Sequence, residues 1–224
     1  LFKREKALAV LARLTQLLSL ALLAPRKAYG RLRARQLLKR TPGPHRLHVG
    51  CGPNHFPGWI HLDGNRSLPG IDVYWDLRLG LPFPDDSLDS IYSEHVLEHL
   101  EVADGVRYLA ECRRVLKPQG VVRTAMPSLE SVVGNYIAED WKAGQDWLAR
   151  PEYRFIATRA EMLNISMRWW EHRWLYDREE LQRRHREAGF HRLSDVAWGD
   201  SAYAHLVGRE TRKDSRLICE AVKQ

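Results

Sequence analysis

Cysteine is scarce in this chain, with three among 224 residues at positions 51, 112 and 219. They lie far apart and form no Cys-x-x-Cys pair, so neither a disulfide framework nor a thiolate zinc site is expected. Such sparing use fits a reducing compartment, the cytoplasm. A Gly-x-Ser-x-Gly elbow, a glycine-rich phosphate loop and a Cys-His nucleophile signature are all absent, which sets aside the hydrolase and nucleotidase chemistries those motifs carry. Acidic residues are nearly missing from the first 45 positions, where eleven Lys and Arg face Glu5 alone. The net charge of +7 therefore sits in an N-terminal arm, while the remaining residues hold 24 basic and 27 acidic side chains. A mildly acidic body argues against nucleic acid as its partner. An uninterrupted apolar run is lacking too. Residues 7–24 are helix-forming and mostly apolar, but Arg13, Thr15, Gln16 and Ser19 break a stretch that would need about 20 predominantly apolar residues to span a bilayer. That arm is expected to pack or dimerise, with peripheral membrane contact as the alternative.

What is present centres on His48 to Asp63. A short apolar strand, Arg46 to Val49, runs into Gly50-Cys51-Gly52, and a second strand, Trp59 to Leu62, ends on Asp63. Two glycines let the backbone turn sharply and approach a ligand, and a carboxylate closing the next strand can hold both hydroxyls of a ribose. The dinucleotide fingerprint would need a third glycine and a helix opening at the turn, whereas Pro53 follows Gly52, so NAD is disfavoured.

The basic helix Arg31 to Arg40 is stopped by Thr41-Pro42-Gly43-Pro44. Further strands are expected at Ile71 to Trp75, Leu88 to Tyr92 and Val121 to Ala125, with a helix from Val102 to Leu116 between the last two. Strands alternating with helices argue an α/β fold with a parallel sheet. From Leu129 to Arg173 the strand signal disappears, and the stretch carries Tyr136, Trp141, Trp147, Tyr153, Phe155, Trp169 and Trp170 among many Arg.

The segment Leu81 to Leu100, with Ser93-Glu94-His95-Val96-Leu97-Glu98-His99, and then Arg113 to Gly120, resembles the class I S-adenosylmethionine (SAM)-dependent methyltransferases of the type 11 kind. Within them it is most similar to a branch that joins a Gly-Cys-Gly turn to Gly-Trp-x-x-Leu-Asp and is associated with polysaccharide biosynthesis. The resemblance covers about Arg46 to Pro127, with a weaker echo from Tyr176 to Phe190. It departs from the family between Gly52 and Trp59, where too few residues remain for the usual helix.

The resemblance implies a Rossmann-like sheet with an N-terminal helical arm and a helical cap: arm 1–44, cofactor-binding core 45–128, acceptor cap 129–175, and 176–224 completing the core. It also implies SAM as cofactor, leaving as S-adenosylhomocysteine. Gly50, Cys51 and Gly52 would pass under the methionine moiety, Asp63 would bind the ribose, Asp76 and Leu77 would frame the adenine, and Ser93 and Glu94 would border the sulfonium. For the proton of a hydroxyl acceptor, His95 is the first candidate base and His172 in the cap the second, with His99 one helical turn on and Glu94 placed to orient an imidazole. No fixed ligand spacing is present, so no metal is expected. The aromatic, Arg-rich cap suits a sugar or glycan. A lipid-linked or quinone-like acceptor is the alternative, and a non-catalytic SAM-binding scaffold the rival of another class.

Overall fold

The computed structural model describes residues 24–143 and 145–224. The expected helix at 7–24, and the dimer or membrane contact attached to it, fall outside these but for residue 24. Helix α1 covers residues 24–40. The strands are β1 (Arg46–Val49), β2 (Ile60–Asp63), β3 (Val73–Tyr74), β4 (Leu88–Glu94), β5 (Leu116–Met126), β6 (Arg192–Asp195) and β7 (Leu217–Val222). The remaining α-helices are α2 (Val102–Val115), α3 (Leu129–Ile137), α4 (Arg159–Arg168) and α5 (Arg178–Glu187). The seven strands form one sheet in the order β3-β2-β1-β4-β5-β7-β6. The first five run parallel, and β7 enters antiparallel between β5 and β6.

Alternation along the strands assigns the two faces. On one face Leu47, Val49, Ile91, Val122 and Met126 join the main core. Against them pack Ala34 of α1, the Tyr108, Leu109, Cys112 and Val115 stripe of α2, and Leu181 of α5. The stripe recurs at helical spacing, and each large apolar side chain so buried contributes about 1.5–3 kcal/mol.

The other face is polar along one transverse row. Strand register places His61, His48, Tyr92, Arg123, Glu220 and Ser194 side by side across β2, β1, β4, β5, β7 and β6. A smaller core of Trp59, Tyr92, Val121, Leu206 and Val222 lies on this face, with Phe56 and Tyr203 packed against it. Its cover comes from the β1–β2 loop and the long β6–β7 loop, residues 196–216. Arg123, fully buried, donates to Glu210 and Glu220 and to the Asp200 carbonyl, each at 2.7 Å, and so ties that loop to the sheet. Burial alone would lower its pKa, but the two glutamates outweigh burial and raise it.

Two ends of the cap meet at one place. Ser128 and Tyr176 form a parallel bridge, and Leu129 N–H donates to the Tyr176 carbonyl at 2.8 Å. Ser128 also caps α3 by accepting from Ser131 N–H, and Thr158 and Glu161 form a reciprocal capping box on α4.

Candidate active site

The C-terminal edge of the parallel strands carries every residue singled out in the glycine turn. Gly50 and Gly52 both adopt positive φ, +62° and +53°. A side chain on Gly50 would also place its Cβ 2.4 Å from Val96 Cγ2, so this position tolerates only glycine on both counts. At Gly52 nothing lies within 4 Å of where a Cβ would stand, which leaves an open cradle beside bare backbone. Cys51 is buried, and burial, reinforced by the Asp63 charge, pushes its thiol up to about 12. It is a small neutral filler of the turn rather than a nucleophile.

Asp63 stands at the end of β2. One carboxylate oxygen accepts from Gly52 N–H at 2.9 Å and the other from Asn65 N–H at 2.8 Å. Each oxygen keeps a second lone pair. Asp76 caps the short turn Leu77–Leu79 and pairs with Arg78 at 2.8 Å, and that hydrogen-bonded partner holds its carboxyl below the usual range. Leu77 packs on the main core. Ser93 is buried on the row of Val49 and Thr124, so its hydroxyl lies on the helix side of the sheet.

Glu94 is committed to the β6–β7 loop. Its carboxylate accepts from Thr211 N–H at 3.0 Å, Thr211 Oγ1 at 2.6 Å, Arg212 N–H at 3.1 Å and Ser215 Oγ at 2.7 Å. The carboxylate beside His95 is instead Glu98, whose Oε1 lies 3.2 Å from His95 Nδ1. His95 Nε2 lies 3.2 Å from Ser215 Oγ and 3.8 Å from Asp214. His99 and His172 come together with ring centroids 5.1 Å apart. Three non-glycine residues here, His95, Trp170 and Glu171, hold positive φ, which is sparsely populated for such side chains and clusters at functional sites.

His95, His99 and His172 open onto a cavity of about 750 Å³ between the strand ends and the cap. Its aromatic wall is Trp147, Tyr153 and Trp170, mutually edge-to-face with centroids 5.3–5.7 Å apart. The same rings pack on Ile156, Met162 and Ile165, so they serve as cap core and cavity wall at once, whereas Phe155 and Trp169 are exposed. Arg150, Arg212, Lys213 and Arg216 add positive charge and Asn135 and Gln145 add amides. The loop residues Thr211, Asp214 and Ser215 carry no local signal in the sequence, since their contacts to Glu94 and His95 span more than a hundred positions.

Comparison with known proteins follows this geometry. The profile of a methyltransferase-domain family matches residues 75–124. A "probable S-adenosylmethionine-dependent methyltransferase" of Mycolicibacterium smegmatis is 32% identical over 110 residues, 42% of each chain. An uncharacterised 37.1 kDa transposon protein of Streptomyces fradiae is 31% identical over 121 residues, 44% of this chain and 34% of that one. The crystal structure of a SAM-dependent methyltransferase from Thermotoga maritima superposes with a TM-score of 0.54 at 16% identity, over 94% of this chain and 96% of that chain. This is a class I SAM-dependent methyltransferase fold. A second such methyltransferase, from Archaeoglobus fulgidus, gives a TM-score of 0.50 at 17% identity over 88% and 94% of the two chains. The chain spans less than half the length of the two curated relatives it matches.

The cofactor of the methyltransferase family is S-adenosylmethionine, and the residues present fit it. The open cradle over Gly52 would accept a close-lying chain, and the free lone pairs of Asp63 would suit two vicinal hydroxyls. As expected from the spacing, no helix forms between β1 and β2, so any contact to the cofactor from this stretch would come from loop amides.

Proposed function

We propose that the protein transfers the methyl group of SAM to a hydroxyl of a sugar or glycan. The observation that carries this reading is the cavity at the end of β4, where an aromatic wall, flanking cations and amides, and His95 share one space. Aromatic faces edged with polar groups suit pyranose rings, whose C–H faces stack while their hydroxyls hydrogen-bond. The cofactor supplies a sulfonium methyl as electrophile. Attack by the acceptor oxygen in line with the carbon–sulfur bond leaves the electron pair on sulfur, and the acceptor proton passes to a base. His95 takes that role by position: it lines the cavity, with Glu98 Oε1 3.2 Å from Nδ1 and Ser215 Oγ 3.2 Å from Nε2. A positioned base contributes about 10²–10⁴ in rate.

The test starts with the cofactor. Calorimetric titration with S-adenosylhomocysteine should show one site, weakened about tenfold or more by Asp63→Ala, the cost of losing hydrogen bonds to a charged acceptor. Labelled SAM is then offered with a panel of sugars and glycan fragments. Absence of cofactor binding removes the methyltransferase activity, and binding with turnover only on non-hydroxyl acceptors removes the glycan assignment.

The lipid-linked alternative has one observation of its own. A groove of about 690 Å³ between α1 and α2 is lined by Lys27, Arg31, Arg35, Arg78 and Arg107 and suits an anionic surface. Sedimentation with anionic vesicles, reversed by Arg31→Glu with Arg35→Glu, would favour it, and no sedimentation of the wild type would end it.

A further inference from the structure

The turn after β4 and the end of the cap bring three side chains to one point beside His95. Glu98 and His99 come from the turn Leu97–His99, and His172 from the residue after the turn Trp169–Glu171. Each offers a ligand atom, and these atoms lie within 4.8 Å of one another. We propose that Glu98, His99 and His172 bind a divalent cation of the zinc class whose remaining coordination positions open into the acceptor cavity.

Four observations support the site. The Glu98 side chain has 0% exposure, yet neither carboxylate oxygen accepts a well-aligned hydrogen bond, and against the cost of burial the nearby His95 holds its carboxyl below the usual range. His95 stands near one oxygen at 3.2 Å, close enough to attract but not aligned as a donor. A buried carboxylate so weakly partnered is costly, and a cation would meet it. Second, His172 Nδ1 sits 2.8 Å from the Ser166 carbonyl. Donating there fixes the tautomer with the Nε2 lone pair free, the arrangement metal-bound histidines adopt. Third, the two turns are pinned to each other, since Arg173 N–H and Trp174 N–H both donate to the Glu98 carbonyl, at 2.7 and 3.2 Å. The backbone segments that carry the ligands are thus tied together. Fourth, His99 and His172 line the cavity while Glu98 lies behind them, so an ion between them has a protein side and an open side.

Donor chemistry selects the cation. Two imidazoles and one carboxylate suit Zn²⁺ and its neighbours, whereas Mg²⁺ and Ca²⁺ take oxygen ligands. Tetrahedral Zn²⁺ with ligands at about 2.0–2.1 Å sets donors about 3.4 Å apart. The three donor atoms, within 4.8 Å of one another, would have to draw closer to reach that spacing. Three protein ligands with an open position is the pattern of catalytic rather than structural zinc. For the role of the ion, polarising the acceptor oxygen next to His95, the inference rests on the proposed methyl transfer, but binding itself does not.

The experiment uses the full chain, stripped with chelator and freed of it. Titration with Co²⁺ followed by its visible absorption, and equilibrium dialysis against Zn²⁺ with metal analysis, should each give one ion per chain. Glu98→Gln and His172→Gln should each weaken binding about 100-fold or more, beyond the 10–100-fold seen for outer-shell partners. Should Glu98→Gln fail to fold by circular dichroism, His172→Gln, at a half-buried position, carries the test. Absence of stoichiometric binding to the wild type, or wild-type affinity in His172→Gln, overturns the site. Titration of the same preparations with S-adenosylhomocysteine separates the two readings: cofactor bound without metal removes the ion alone, and metal bound without cofactor removes methyl transfer and keeps the ion.

Discussion

Replacing Arg123 by Met tests how the β6–β7 loop is held. In the folded protein the guanidinium has 0% exposure and neutralises Glu210 and Glu220, themselves 0% and 3% exposed. Arg123→Met leaves two carboxylates facing each other in a dry space. Removing one partner of a buried pair costs about 3–5 kcal/mol, against a total stability of about 5–15 kcal/mol. For a chain of this size the thermal midpoint should fall by about 6–20 °C. The same guanidinium also binds the Asp200 carbonyl, and Glu210 and Glu220 accept from Gly199 N–H and Ser201 Oγ, so the loss should concentrate in residues 199–211. Urea unfolding followed by circular dichroism gives the magnitude, and amide hydrogen exchange gives the location. Replacing all three residues with apolar ones of similar volume should recover most of the loss, because burying charges is itself expensive. A loss below about 1 kcal/mol for Arg123→Met, or one spread evenly over the chain, would refute the argument that this ion pair fastens the loop.

Two further outcomes follow from other contacts. Glu94→Gln puts an amide donor where Thr211 and Arg212 present N–H groups, so it should cost about 1–3 kcal/mol and speed exchange across residues 211–215; unchanged exchange there would contradict it. Burial depresses the His185 pKa to about 4, below its unfolded value of 6.5, so the folded state binds fewer protons than the unfolded state between those limits. Its contribution is therefore fully present above pH 6.5 and is lost as pH falls toward 4, by about 1.4 kcal/mol per unit. The stability gap between wild type and His185→Phe should shrink accordingly in urea titrations, and a gap constant from pH 7.5 to 4.5 would sink the assignment.

The parts of the fold legible in the sequence were those written in local periodicity. β1, the start of β4, and α2 announce themselves by apolar spacing, and Gly50, Gly52 and Asp63 by the geometry that only such residues permit. Strand β5 begins at Leu116, earlier than Val121, because Lys117-Pro118-Gln119-Gly120 reads as a stop yet is carried on as strand. Gln119 N–H donates to the Lys223 carbonyl and Lys223 N–H to the Gly120 carbonyl, pairing that no local pattern encodes. Arg123 reads as an odd charge in an apolar strand because its partners lie 87 and 97 positions away. Glu98 and Glu94 look equivalent in sequence, four apart beside histidines. Folding separates them, since one is consumed by the β6–β7 loop and the other is left bare against His99 and His172. The convergence of His172 on that pair depends on the backbone ties of Arg173 and Trp174 to Glu98, which leave no trace in spacing.

The bridge between Ser128 and Tyr176 makes the cap a cassette. Its entry and exit touch, and beyond that pair the ties from Arg173 and Trp174 to the Glu98 carbonyl lie at the cap's far end, so the middle of the segment can change in length or content while the strands keep their partners. The residues that fit the cofactor, Gly52 and Asp63, stand on β2 and the β1–β2 loop, none of which the cassette supplies. On the proposed reading, exchange of one segment would remodel the aromatic wall of the cavity while His95, His99 and the β6–β7 loop stayed, and the incoming segment would have to return a histidine beside Glu98 and His99 for the proposed cation to be kept.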